Sequence, residues 1–229
     1  MLLAIPSLLS SGQVAEVRSL IDEGRWEDGR ETAGKQSALA KRNRQIAADC
    51  AQGEKARAIV LQALQEDGLF LSAALPRAIF PPLFNRYDGG VRHAFGNHVD
   101  NAIRYLPDGS GSIRTDLSAT LFLSAPEDYD GGELVIEDSY GAHEVKLAAG
   151  DLILYPSTSL HRVEPVTRGS RICSFFWIES RVRDDAQRTI LLDMDAAIRS
   201  LAQQLGDDRA EVVSLTGCYH NLVRQWASS

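Results

Sequence analysis

The spacing of apolar and polar residues divides this chain into a helical beginning, a strand-rich middle and a helical end. The opening residues, Met1–Leu9, are apolar enough to predict a first strand. An amphipathic helix is predicted next by apolar residues three and four positions apart, at Val14, Val17, Leu20 and Ile21. Residues 54–67 predict a second amphipathic helix that ends at Gly68. The polar, glycine-containing segment Trp26–Asn43 predicts a long excursion outside the core.

From residue 77 the pattern changes to short apolar runs separated by turn residues. These runs occupy residues 78–80, 83–87, 117–123, 133–136, 144–147, 151–155 and 171–178. Many short strands at regular spacing predict an antiparallel sandwich or barrel. After Asp184 a helical period returns, at Ile190, Leu191, Met194, Ile198, Leu201 and Leu205. A last helix is predicted near Tyr219–Trp226.

The predicted fold is therefore mainly β with flanking helices, around a jelly-roll core. We assign residues 77–180 to this core and residues 1–76 to an N-terminal strand and helices that pack on it. Residues 181–229 are assigned to a C-terminal helical region. The length of 229 residues suits one large domain with helical additions.

Charge and cysteine usage argue against several classes of protein. The net charge is −7 and no long basic run occurs, so a nucleic-acid surface is disfavoured. No stretch approaches the roughly 20 apolar residues of a membrane span. Cys50, Cys173 and Cys218 lie far apart without paired spacing, which fits a reducing cytoplasm. The sequence leaves a homo-oligomer open.

Two histidines and one aspartate form the most informative pattern in the chain. His98 and Asp100 are two positions apart, which on a strand places both side chains on one face. His161 lies in a second strand-like run, His161–Val166, and could complete the set from a neighbouring strand. Two imidazoles and one carboxylate are the ligands of non-haem iron(II) oxygenases, and they leave coordination positions open for co-substrate and dioxygen.

Arg171 follows the third ligand candidate by ten residues and suggests the co-substrate. A buried arginine needs an anionic partner, and its planar fork suits the carboxylate of 2-oxoglutarate. Residues 167–170 are predicted to form a hairpin turn that places Arg171 across from Val166. Tyr87 is a second candidate, because its hydroxyl could donate to the co-substrate, although a packed core tyrosine fits equally well.

The other residues with reactive or charged side chains have simpler interpretations. His93 has no acid close by in the pattern and is predicted to face a loop or a substrate. His143, at a glycine-flanked turn, and His220, in the last helix, are predicted to be structural. Cys173 is predicted to be a small core residue. Arg104 either steers substrate or solvates a strand end.

Several motifs resemble those of the PKHD-type hydroxylases, bacterial iron(II)/2-oxoglutarate dioxygenases related to prolyl 4-hydroxylases. The resemblance runs nearly end to end, and the segment between Tyr87 and His98 is two residues longer than in the family pattern. The matching motifs are Trp26–Gly34, His98–Ala102, Thr115–Phe122, Pro126–Ile136, Leu154–Ser157, Leu160–Arg171 and Leu215–Leu222.

The resemblance implies that His98, Asp100 and His161 bind Fe(2+) and that Arg171 binds the distal carboxylate of 2-oxoglutarate. It also implies a double-stranded β-helix core and ascorbate as a supporting reductant. The expected reaction uses O2 to hydroxylate a substrate and releases succinate and CO2. The substrate, peptidyl or small-molecule, is unidentified. Two alternatives remain: a cupin-like metal isomerase or hydrolase, and a non-catalytic iron/2-oxoglutarate sensor.

Overall fold

The computed structural model describes residues 1–32 and 39–228, so part of the predicted excursion, 33–38, lies outside the described residues. The helices are α1 (Ser11–Asp22), α2 (Ala51–Glu66), α3 (Gly68–Ala74), α4 (Asp185–Leu205) and α5 (Ala210–Trp226). The strands are β1 (Leu3–Ile5), β2 (Trp26–Asp28), β3 (Lys41–Arg42), β4 (Arg44–Ile46), β5 (Pro76–Ile79), β6 (Leu83–Asp88), β7 (Ala94–His98), β8 (Ile103–Tyr105), β9 (Ser112–Arg114), β10 (Leu117–Phe122), β11 (Tyr129–Asp130), β12 (Leu134–Asp138), β13 (Gly141–Val145), β14 (Leu152–Pro156), β15 (Leu160–Val163) and β16 (Arg168–Ser180).

Two antiparallel sheets organise the described residues. The larger has the order β1-β14-β10-β16-β6-β4-β2, with β5 and β11 also paired to β16. The smaller has the order β13-β12-β15-β7-β3, and β8 and β9 form a separate two-stranded hairpin. The mainly β, jelly-roll prediction is therefore confirmed.

Two apolar clusters explain why the elements stack in layers. One joins α1, α2 and α3 to the larger sheet through Val17, Val60, Phe70, Leu121 and Phe176, each nearly or fully buried. The other joins the two sheets through Phe122, Leu134, Ile136, Tyr155 and Val163. Burying such side chains is the main favourable contribution to folding. Helices thus cover one face of the larger sheet, and the smaller sheet lies against the other.

The N-terminal segment contributes strands to both sheets. β1 pairs with β14, β4 pairs with β6, and β3 pairs with β7. The prediction that Trp26–Asn43 is an excursion outside the core is wrong for its described residues, because β2 and β3 lie in it and Lys41 and Asn43 are buried. Main-chain pairing of polar strands leaves no hydrophobic period to detect.

The second predicted helix ends at Glu66, close to Gly68 as expected, but a further helix that the sequence did not predict follows at once. The Asp67 side chain accepts a hydrogen bond from the Phe70 main-chain N–H at 2.7 Å and so caps a new helix, α3. The chain therefore turns a corner at Asp67 and continues as helix. The sequence signal for α3 was Asp67, a residue type that often caps helices, but Gly68 directly after it was interpreted as the end of a helix.

The apolar stripe of α4 is buried only in part. Leu191 is 0% and Ile198 9% exposed, whereas Ile190 is 51% exposed. The expectation that this stripe packs against the barrel or a second subunit is therefore met within the chain at Leu191 and Ile198, and not at Ile190. α5 begins at Ala210, well before the predicted start near Tyr219. None of the described helices is long and apolar enough to cross a membrane.

Candidate active site

His98, Asp100 and His161 come together where the smaller sheet faces the larger one. His98 and His161 are direct partners in the β7–β15 pairing, and a ligand atom from each of the three residues lies within 4.8 Å of the others. Asp100 lies beyond the end of β7, so the prediction that it shares a strand with His98 is wrong. The segment after β7 nevertheless places the Asp100 carboxylate beside the two imidazoles.

Both imidazoles are oriented by main-chain carbonyls. His98 Nδ1 lies 2.8 Å from the Gly96 carbonyl oxygen, and His161 Nδ1 lies 3.0 Å from the Ser159 carbonyl oxygen. Because a carbonyl oxygen only accepts, each Nδ1 carries the proton and each Nε2 keeps its lone pair for a metal. His161 Nε2 is 3.7 Å from Asp100 Oδ2, which brings a nitrogen and an oxygen donor together.

A buried serine holds the carboxylate of the set. Ser118 Oγ donates to Asp100 Oδ2 at 2.6 Å, and it lies 2.8 Å from the Ser157 hydroxyl oxygen. Both serines are almost fully buried. Sequence reasoning assigned them no role, since a serine within a strand or directly after one carries no ligand signal of its own.

The electrostatics of the cluster suit a divalent cation. Burial, and then the neighbouring His161, lowers the pKa of His98 to about 4. The imidazole of His98 is therefore neutral near pH 7, which is the form that binds metals. Two imidazoles and one carboxylate are the donor set of the iron(II) facial triad, so the residues present fit iron(II).

Arg171 lies at the inner end of the same cavity, with 1% of its surface exposed. Its guanidinium carbon is 5.4 Å from the ring centre of Tyr87 and 5.3 Å from that of Phe122. Among the described residues no carboxylate forms an ion pair with it, and its Nε has no hydrogen-bond partner. A buried cation without a counter-ion is costly, so this site suits the carboxylate of a ligand.

The hairpin predicted for residues 167–170 is wrong. Arg168 and Gly169 pair with β11, and Arg171 lies opposite Tyr87 in β6 instead of opposite Val166. β15 and β16 therefore belong to different sheets, and the two sheets bring Arg171 and His161 together. Gly132 packs directly against the Arg171 side chain, because a Cβ at this position would lie 3.1 Å from Arg171 Cδ. Its φ of +69° also favours glycine.

Tyr87 is 1% exposed and faces the same cavity as Arg171. Burial raises the pKa of Tyr87 to about 12, so its hydroxyl is a hydrogen-bond donor at neutral pH. The position is compatible with both interpretations drawn from the sequence, a donor to the co-substrate and a packed tyrosine.

The cavity has a volume of about 720 Å³, including its part open to solvent. Besides the residues already described, two cations line it. Lys41 Nζ lies 5.5 Å from the ring centre of Phe95 and 5.6 Å from that of Phe175. The guanidinium carbon of Arg104 lies 3.6 Å from the ring centre of Trp177. Sequence reasoning missed Lys41 and left Arg104 open between two roles.

The remaining histidines lie outside the triad. His93 Nδ1 accepts from the Asp88 main-chain N–H at 3.1 Å and is 3.9 Å from the Asp88 carboxylate, so the expectation of no nearby acid is wrong. His143 lies within β13, not at a turn, and pairs with Asp138 at 3.0 Å. His220 lies on α5, as predicted. The fully buried Cys173 confirms its prediction as a core residue.

Comparison with protein families gives two matches. Residues 82–179 match the 2OG-Fe(II) oxygenase superfamily, and residues 185–228 match the PKHD-type hydroxylase C-terminal domain. A PKHD-type hydroxylase of Phenylobacterium zucineum is 60% identical over 227 residues, covering 99% of both chains.

Solved structures share the fold at lower sequence identity. A Pseudomonas putida prolyl-4-hydroxylase matches with a TM-score of 0.51 and 23% identity, over 79% of this chain and 92% of that one. HygX of Streptomyces hygroscopicus, solved with nickel and 2-oxoglutarate bound, matches with a TM-score of 0.53 and 16% identity, over 78% and 82%. At these identities the likeness is one of fold.

Proposed function

This chain belongs to the PKHD-type hydroxylases, which are iron(II)- and 2-oxoglutarate-dependent dioxygenases, and we propose how its own residues serve that activity. His98, Asp100 and His161 hold the iron, and Arg171 receives the distal carboxylate of 2-oxoglutarate. The hydroxyl of Tyr87 donates a hydrogen bond to the same co-substrate. The iron supplies the oxygen chemistry when bound, and the protein supplies orientation and exclusion of water.

One observation carries the co-substrate assignment: the buried guanidinium of Arg171 opens on the cavity that also holds the triad. A bidentate arginine–carboxylate pair fixes both the position and the direction of a dicarboxylate. With one end of 2-oxoglutarate on Arg171, the keto acid end is directed toward His98 and Asp100. The imidazoles of His98 and His161, whose Nδ1 atoms are hydrogen-bonded to main-chain carbonyls, keep their Nε2 atoms available to the metal.

Replacement of Arg171 tests this proposal. Arg171→Ala should weaken 2-oxoglutarate binding by roughly 30-fold or more, since breaking a buried charge pair costs about 2–5 kcal/mol. Calorimetric titration of 2-oxoglutarate into the manganese-loaded protein measures the affinity. Manganese affinity itself should stay unchanged, because Arg171 is not a ligand. Arg171→Lys should restore binding only in part, because an ammonium cannot make two parallel hydrogen bonds.

Arg168→Ala is the matched control, because Arg168 lies on the same strand but is exposed and paired with Asp130. It should bind 2-oxoglutarate as the unaltered protein does. If Arg171→Ala also did so, the assignment would fail and a cupin-like isomerase or hydrolase site would be favoured. Binding of both iron and 2-oxoglutarate, with no succinate released in the presence of any cell extract, would favour a sensor.

The substrate, the reductant and the compartment extend the proposal. The fold shared with a prolyl-4-hydroxylase supports a peptidyl side chain as the substrate. The fold shared with HygX, which has also been solved with hygromycin B bound, supports a small molecule. Ascorbate is proposed to support turnover, as the family resemblance implies. The free cysteines of the described chain support a cytoplasmic protein. The net charge of −7 supports the proposal that nucleic acid is not a partner, and self-association stays open. Succinate release with fractionated extracts, followed by mass analysis for an added oxygen, would identify the substrate.

A further inference from the structure

One buried side chain that lines the active-site cavity has a polar atom without a partner. Asn85 lies on β6 and is 6% exposed. Its Oδ1 is buried and has no hydrogen-bond partner among the described residues. The same side chain lines the cavity that holds the triad. Leaving a buried polar atom without a partner is costly, so such an atom in a cavity wall indicates a partner that arrives with a ligand.

The strand pairing places Asn85 beside the co-substrate end of the cavity. Tyr87 lies opposite Arg171, and Asn85, two positions earlier on β6, lies opposite Cys173. Side chains two positions apart share a face of the sheet and are separated by roughly 7 Å along the strand. Asn85 therefore faces the same cavity as Tyr87, one step along the strand from the residue that receives the distal carboxylate of 2-oxoglutarate.

The polar ends of 2-oxoglutarate are directed away from Asn85. One end meets Arg171 on β16, and the other is directed toward the metal ligands. Ser118, which holds the metal ligand Asp100, lies on β10. Because the strand order is β10-β16-β6, Ser118 and Asn85 lie on opposite sides of β16. The methylene groups in the middle of the co-substrate cannot hydrogen-bond to Asn85, which leaves its amide for another molecule.

We propose that Asn85 forms an amide subsite, which receives a peptide or carboxamide group of the substrate. The inference rests on the proposed function, because it takes iron and 2-oxoglutarate to occupy the rest of the cavity. An amide complements the Asn85 side chain, since each of the two offers an N–H donor and a carbonyl acceptor. Half a turn about the Cβ–Cγ bond exchanges the two ends of the Asn85 amide, so either can face the ligand. Phe175, opposite Leu83 at the next step of β6, borders the apolar part of the same substrate.

The stability of a variant without substrate separates this role from a structural one. An amide kept for a ligand contributes little to the folded state, and leucine has nearly the shape of asparagine, so Asn85→Leu should cost little or no thermal stability. Thr115→Val is the matched control, because Thr115 is also 6% exposed but its hydroxyl donates to the Asn101 carbonyl oxygen at 2.6 Å. Thermal unfolding of the zinc-loaded proteins compares the two. A loss of melting temperature for Asn85→Leu equal to or larger than that for Thr115→Val would overturn the proposal.

Two probes of the same shape test the recognition directly. Phenylacetamide and phenylacetone differ by an NH2 group in place of a CH3 group, so only the amide can donate a hydrogen bond. Ligand-observed NMR gives the affinity of each for the zinc- and 2-oxoglutarate-loaded protein. Phenylacetamide should bind at least about threefold more tightly, as expected for one hydrogen bond. A smaller preference, or no binding of the amide, would overturn the proposal.

Two variants and one control attribute the preference to Asn85. Asn85→Leu and the smaller Asn85→Ala should both bring the ratio of the two affinities close to one. Ser174→Ala is the matched control, since the Ser174 hydroxyl is also buried without a partner in the described structure. Ser174 lies opposite Phe84, on the other face of the sheet from Asn85, so its replacement should leave the ratio unchanged. A preference that survives in either Asn85 variant would overturn the proposal.

The affinity of the zinc-loaded proteins for 2-oxoglutarate separates this inference from the proposed function. Asn85→Leu should bind 2-oxoglutarate as the unaltered protein does, whereas Arg171→Ala should not. If Asn85→Leu lost 2-oxoglutarate, the amide would hold the co-substrate and the substrate subsite would be disproved. If the unaltered protein failed to bind 2-oxoglutarate, the proposed function would fall, and the two probes would still show whether Asn85 recognises an amide.

Discussion

At the scale of single residues, Asp100 depends on a partner that binds no metal itself. The carboxylate lies on a segment after β7 and has no strand to hold it. Ser118, on β10, supplies the missing restraint by donating to Oδ2 from within the larger sheet. Outer hydrogen bonds of this kind orient ligands and tune their affinity.

Ser118→Ala should therefore weaken metal binding by about tenfold or more, without altering the three ligands. Competition with a chelator under anaerobic conditions measures the iron affinity. Ser174→Ala is the matched control, since Ser174 is equally buried on β16 and its hydroxyl has no hydrogen-bond partner in the described structure. Equal iron affinities for the two variants would show that Ser118 does not position Asp100.

At the scale of elements, the C-terminal helix α4 presents a buried and an exposed aliphatic residue side by side. Leu191 is 0% exposed and Ile190 is 51% exposed. The helix is tied to α3 by a hydrogen bond from Ser72 Oγ to Asp195 at 2.6 Å, which fixes the face turned inward. Only part of the apolar stripe of α4 therefore contributes to the core of this chain.

Leu191→Ala should lower the free energy of unfolding by about 2–5 kcal/mol, because it leaves a cavity in a packed contact. Ile190→Ala should change it by no more than about 1 kcal/mol, as is usual for exposed positions. Urea unfolding followed by circular dichroism compares the two. A large loss for Ile190→Ala would mean that a second chain covers this face in solution.

At the scale of the whole molecule, the fold follows from patterns that act locally, whereas the site depends on how two sheets meet. The His98 and Asp100 spacing and the later His161 were readable, because metal ligands are rare residue types in a restricted arrangement. Short apolar runs separated by turn residues likewise predicted most of the β-core, because both signals are local in the sequence. The cross-strand neighbour of Arg171, which is Tyr87, was not predictable, because β16 and the strand it pairs with, β6, are far apart in the sequence.

The roles of Lys41 and Ser118 were also not predictable from the sequence. Lys41 lies in a polar segment with no hydrophobic period, and it is buried where β3 pairs with β7. Ser118 looks like any small strand residue until the Asp100 segment folds back over it. Roles that arise from long-range packing leave no trace in local composition, and these residues needed the structure.

The facing positions of His98 and His161 make the metal a cross-link between strands as well as a reaction centre. β7 lies between β15 and the two-residue β3, so few main-chain hydrogen bonds secure its outer side. Such an edge opens more readily than the centre of a sheet. Zinc should therefore slow amide hydrogen exchange in β7 and β3 in the unaltered protein, leave β10 and β16 unchanged, and have no effect in His161→Ala. Exchange that ignores zinc everywhere would contradict this. Since β3 carries Lys41, which lines the cavity, metal binding would also stabilise this wall of the cavity.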